Sequence, residues 1–115
     1  KFIGECGIGI AETINNTDPK AVTAFEIWLF DRDDVHTPTH FLLSDFAYTN
    51  EIMLERLKNK GRYDLIEINK PYEVLSETLK MIVVVTELDY GTGSSGKRSY
   101  FNKVVFDVRV WQLEP

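Results

Sequence analysis

At 115 residues, with 43% hydrophobic and 27% charged residues, the chain has the make-up of one soluble globular domain burying roughly two thirds of its unfolded surface. Its 13 basic and 18 acidic residues leave a net charge of −5, which disfavours nucleic acid and anionic membrane as partners. No apolar run approaches the ~20 residues that span a bilayer, and the single Cys6 excludes an internal disulfide, so a reducing cytoplasm is the simplest compartment.

Phe2–Thr13 reads as a first strand, with Phe2, Cys6, Ile8 and Ile10 on one face and Ile3, Glu5 and Ala11 on the other. Cys6 in that apolar row is expected to be a buried, inert thiol. Gly4, Gly7 and Gly9 predict a bulge, a bend or the close approach of another backbone. Asn15–Lys20 is loop chemistry, so the first two strands form a long hairpin. Asn15-Asn16-Thr17 matches a glycosylation triplet that has meaning only in a secreted chain.

Val22–Asp33 is the expected central strand. Val22, Ala24, Glu26, Trp28 and Phe30 make one row and Thr23, Phe25, Ile27, Leu29 and Asp31 the other, both apolar through the middle, which predicts cover on both faces. Val35–Leu43 follows as a shorter strand, with Pro38 arguing for an edge position or a break. One helix is expected next, capped by Thr49 and ended by Gly61, with Met53, Leu54 and Leu57 as its apolar stripe. Tyr63–Ile68 is a fourth strand closed by Asn69-Lys70-Pro71. Glu73–Asp89 is extended with a break near Glu77-Thr78, and Tyr100–Gln112 is the last strand. The whole predicts a mainly antiparallel β-sandwich or barrel of about six strands, with one short helix after the third. The expectation is a single domain, residues 1–115, cut from a longer chain, because Lys1 stands where an initiator Met would.

The strings GECGIGIAETI, KAVTAFEIWLFDRDD and ELDYGTG resemble a domain found at the C-terminal end of certain uncharacterised bacterial proteins, behind a low-complexity segment. That resemblance implies a folded module on a flexible tether in a bacterial cell. It carries no named activity and assigns no catalytic residue.

Four stretches carry candidate chemistry. Gly91–Lys97 satisfies GxGxxG and part of the phosphate-loop pattern, but Arg98 replaces the Ser/Thr and a two-period strand follows where a helix is needed, so a hairpin turn is the better reading. Asp31, Asp33, Asp34, His36 and His40 form a metal-like cluster that fails the EF-hand spacing, and Pro38 keeps the two histidines off one helix. Glu26 in an apolar row is a candidate general acid, with Glu5 or His36 as its companion; pairing with a cation is the commoner fate of such a residue.

The fourth stretch is the last strand. Val104, Phe106, Val108 and Val110 are expected inward. Phe101, Lys103, Val105, Asp107, Arg109 and Trp111 share the outward row, a mixed aromatic and charged strip that reads as an interface. The expected function is therefore a non-enzymatic protein-interaction or assembly module. Phe101, Lys103, Val105, Arg109 and Trp111 would bind a protein partner or a second copy, with no catalytic residue, metal or cofactor. The alternatives are a small-ligand or oligosaccharide-binding β-sandwich and an OB-like barrel.

Overall fold

The structure is a computed structural model that describes residues 2–14, 21–92 and 98–114. The strands are β1 (Gly4–Ile14), β2 (Ala21–Asp31), β3 (Thr39–Leu43), β4 (Arg62–Leu65), β5 (Pro71–Leu75), β6 (Leu79–Thr92) and β7 (Arg98–Gln112), with α1 (Asp45–Tyr48) and α2 (Glu51–Leu57) between β3 and β4. One sheet runs β1-β2-β3-β4 and the other β5-β6-β7, and they do not close into a barrel. The first is mixed rather than antiparallel, because β3 and β4 run parallel. A parallel pair needs a long crossover, and the two helices supply it.

Two apolar layers result. Ile27, Leu29 and Leu42 of the first sheet meet Tyr72, Val74, Met81, Val83 and Val85 of the second in the main core. On the first sheet's outer face, Ala24, Phe41 and Leu43 are covered by Ala47, Met53 and Leu57 of the helices. The central strand is thus covered on both faces only at this end. At its other end Trp28 is half-buried and Phe30 exposed. Trp28 lies across Gly7 of β1, where a Cβ would stand 2.2 Å from the indole. The glycine is the space the ring occupies.

Ser44 and Asn50, not Thr49, cap the helices. The Ser44 hydroxyl accepts from Ala47 N at 3.1 Å and Asn50 Oδ1 from Met53 N at 3.1 Å, while Thr49 closes α1. α2 ends at Leu57, before Gly61. β3 begins after Pro38 and is internal, between β2 and β4, so the proline marks a start rather than an edge. β1 carries its bulge at Ala11, where the register steps from Ile10↔Phe25 to Glu12↔Ala24. The expected turn at Asn15–Lys20 lies outside the described residues.

β7 is 15 residues long, about 50 Å at ~3.3 Å per residue, which matches the 50 Å long axis of the molecule. Its far end therefore outruns the core. Among the described residues no helix is long and apolar enough to cross a membrane.

Candidate functional site

β1 ends the first sheet and β7 ends the second, and these two edges lie beside one another. Between them lies a groove of about 300 Å³, lined by Ile3, Cys6, Leu29, Leu79, Val110 and Trp111, with Glu5 and Gln112 at its rim. Val108, Val110 and Trp111 are exposed by 39%, 42% and 47%. Val108 and Val110 pair with the buried Val83 and Met81, so they stand on the inner face. They are open because no described residue beyond β7 covers them. An apolar row on a long unpaired edge strand is a template for another chain.

The structure divides the five expected partner-binding residues. Lys103, Arg109 and Trp111 are exposed and Val105 is half-buried. Phe101 corrects the expectation. It is 9% exposed and its ring stacks on Phe25 at 5.2 Å within the main core. The cause is a bulge: the register passes from Asp89↔Lys103 to Tyr90↔Phe101, leaving Asn102 as an extra residue. One extra residue flips every side chain beyond it to the opposite face.

Cys6 is a second correction, since it is exposed and not buried. It pairs with Leu29 on β2, but on an end strand whose inner face opens into the groove. Reductant is expected to leave the melting temperature unchanged, because one thiol per chain cannot staple the fold. Thermal melting with and without a thiol reductant checks this, and a drop on reduction would mean that Cys6 links chains.

The metal-like cluster dissolves into structural roles. Asp31 is buried, its Oδ2 accepting from the Ser76 hydroxyl (2.7 Å), Thr78 N (2.7 Å) and the Thr78 hydroxyl (2.8 Å), its Oδ1 from Asp33 N (2.8 Å). Burial alone would raise its pKa, but these donors outweigh it and hold the carboxyl well below the ordinary value. Asp34 accepts from His36 N at 2.9 Å and Glu77 N at 3.0 Å. Both carboxylates thus tie the end of β2 to the turn between β5 and β6.

His40 faces elsewhere, its Nε2 2.8 Å from Asp64 Oδ2 and its ring edge-on to Tyr72. Donation from Nε2 to Asp64 leaves Nδ1 as a bare acceptor, and it has no partner among the described residues. Burial pushes its pKa down, Arg62 and Lys70 add to this, and Asp64 opposes it. Among the described residues no group of three or more His, Cys, Asp or Glu is placed to hold a metal.

Glu26 gains neither expected companion. It is half-buried opposite Gly9, in a cleft of about 280 Å³ with Glu12, Thr39, Phe41 and Lys60. Glu5 pairs with Phe30, four residues further along β2, and His36 is exposed beside Asp34. Glu12 is taken by Arg56 at 2.7 and 3.1 Å. The glycine-rich stretch is followed by strand: β7 begins at Arg98, where a phosphate loop requires a helix. The expected hairpin turn, residues 93–97, lies outside the described residues.

The chain matches no protein-family model, no curated protein and no solved structure. The open edge is the feature that chemistry singles out.

Proposed function

We propose that the domain is a non-enzymatic protein-interaction or assembly module, a β-sandwich whose open edge receives a polypeptide chain. The observation that carries this is the coincidence of two unpaired strand edges with an apolar groove topped by Trp111. An extended chain entering there would satisfy edge N–H and C=O groups and cover Val108, Val110 and Trp111. Lys103, Arg109 and Val105 would lie beside it. Trp and Arg at the centre of a contact are the residues that most often dominate affinity. The resemblance adds a setting to the proposal: a tethered module of a bacterial protein, in a reducing cytoplasm where an exposed Cys6 stays a thiol.

The same groove is a weaker fit to a small ligand or an oligosaccharide. Its volume is at the low end for ligand pockets, and its apolar walls offer a sugar few hydrogen-bond partners.

Trp111→Ala is expected to weaken capture of a polypeptide, the chain's own copy included, by roughly tenfold or more. Stability should fall by only about 1 kcal/mol, because nearly half of the side chain already meets water. Sedimentation and binding of extended peptides measure the first, and denaturant unfolding the second. A loss of several kcal/mol with unchanged association would place Trp111 in the core and overturn the reading.

A further inference from the structure

β7 is complementary to itself. We infer that two copies of the chain pair through β7, antiparallel and edge to edge about a twofold axis at Val108, joining two three-stranded sheets into one of six. This rests on the reading that the open edge receives a polypeptide, and it names the polypeptide.

A continuous sheet must set inner residues opposite inner residues. On β7 the inner row is Val104, Phe106, Val108 and Val110, and the outer row is Lys103, Val105, Asp107, Arg109 and Trp111. Pairing centred on Val108 sets Asp107 of each copy opposite Arg109 of the other, twice by symmetry. It also sets Phe106 opposite Val110 and Val105 opposite Trp111, each twice. Opposite charges and aromatic–aliphatic pairs are the favourable cross-strand combinations.

Neighbouring registers are poorer. Centring on Asp107 or on Arg109 faces a charge with its own copy, and centring on Phe106 sets Lys103 against Arg109. Centring on Val105 sets Lys103 against Asp107 but carries the pairing into the bulge at Asn102, and centring on Val110 leaves Asp107 and Arg109 without an opposite charge. The Val108 register also lies wholly beyond the bulge at Asn102, on a stretch where β7 carries no extra residue. In the single chain Asp107 and Arg109 already lie 3.2 Å apart, with 42% and 69% of their side chains exposed, so the ion pair has only to exchange partners. β1, the end strand across the groove, bears only Glu5 and Glu12 as charged residues, and no register with itself makes an ion pair.

Sedimentation equilibrium of the wild type, Asp107→Arg, Arg109→Asp and an equimolar mixture of the two variants tests this. Both sites are on the surface, and circular dichroism with thermal melting confirms that each variant folds. The wild type is expected to dimerise, and each variant alone to self-associate at least about tenfold more weakly, since attraction becomes repulsion at two symmetric places. In the mixture one strand is basic at both positions and the other acidic, so a heterodimer should form with affinity restored to within about threefold of the wild type. A wild type that stays monomeric to about 1 mM overturns the inference. So does a dimer indifferent to the two substitutions, or a mixture no tighter than its components. If the wild type is monomeric but Trp111→Ala still abolishes binding of another chain, self-pairing is wrong and the broader reading stands.

Discussion

Asp31→Asn is expected to lower the melting temperature by roughly ten degrees or more, although it exchanges one oxygen for an NH₂ group. The carboxylate is buried and accepts four hydrogen bonds, three on Oδ2 and one on Oδ1. An amide offers one acceptor oxygen. If its NH₂ takes the Oδ2 position, it faces the backbone N–H of Thr78, which cannot rotate away. If it takes the Oδ1 position, it faces the N–H of Asp33. Neither flip satisfies both, and a buried donor left without an acceptor carries its full desolvation cost. The damage would spread, because these bonds join the end of β2 in one sheet to the Ser76–Thr78 turn of the other. Asp33→Asn, at a side chain 55% exposed, is the control and should melt within a degree or two of the wild type.

Acid should act on the same latch. The Asp31 carboxyl titrates below its ordinary 3.8 in the folded chain, so its contribution is complete above that pH, where both states are ionised. It is lost as the pH falls below 3.8 and the unfolded chain takes up a proton that the folded one refuses. His40 adds an earlier phase with the same sign. Its folded pKa lies below 6.5, so between 6.5 and the folded value the unfolded chain binds more protons and stability declines with acidification. Melting temperature against pH should be flat just above neutrality, sag below 6.5 and drop steeply below 4. His40→Gln should lack the sag.

Local chemistry made much of this fold legible. The two-residue period marks β2 and β6, the turn residues place the break between β5 and β6, and Met53 and Leu57 define the helical stripe that covers the first sheet. Signals for the helix caps are also local: Ser44 and Asn50 each precede a helical run by one residue. The parallel crossover is not read from the antiparallel expectation, although the 18 residues between β3 and β4 leave room for it.

What stays hidden is long-range or depends on a single inserted residue. Asp31 looks like a surface ligand until Ser76 and Thr78, 45 and 47 positions away, are brought to it. Phe101 looks outward until the extra Asn102 reverses the alternation. Cys6 sits in an apolar row, but only the strand order reveals that the row ends at an open edge. Beyond the bulge the period of β7 is unbroken, so the outward placement of Lys103, Arg109 and Trp111 is legible there.

The two faces of β2 provide the second large effect. Ile27 and Trp28 are adjacent, both apolar, and the indole is the larger group, so side-chain size alone ranks Trp28 as the costlier loss. The structure ranks them the other way. Ile27 is fully buried, beside Ile8 and His40 on neighbouring strands and facing the Val74, Met81 and Val83 layer of the second sheet. Ile27→Ala should cost about 3 to 4 kcal/mol, the transfer of three carbons plus a cavity that two packed sheets cannot collapse. That is a large share of the roughly 5 to 15 kcal/mol holding such a domain. Trp28 projects to the outer face beyond the reach of the helices, open to water on part of its surface, with the backbone of Gly7 beneath its ring. Trp28→Ala removes area but leaves no closed cavity, and should cost about 1 to 2 kcal/mol. Denaturant unfolding of both variants, compared at equal m-values, decides the order. Were Trp28→Ala the more damaging, the main core would lie on the helical side of β2, and the second sheet with its open edge would be a lesser partner in the fold.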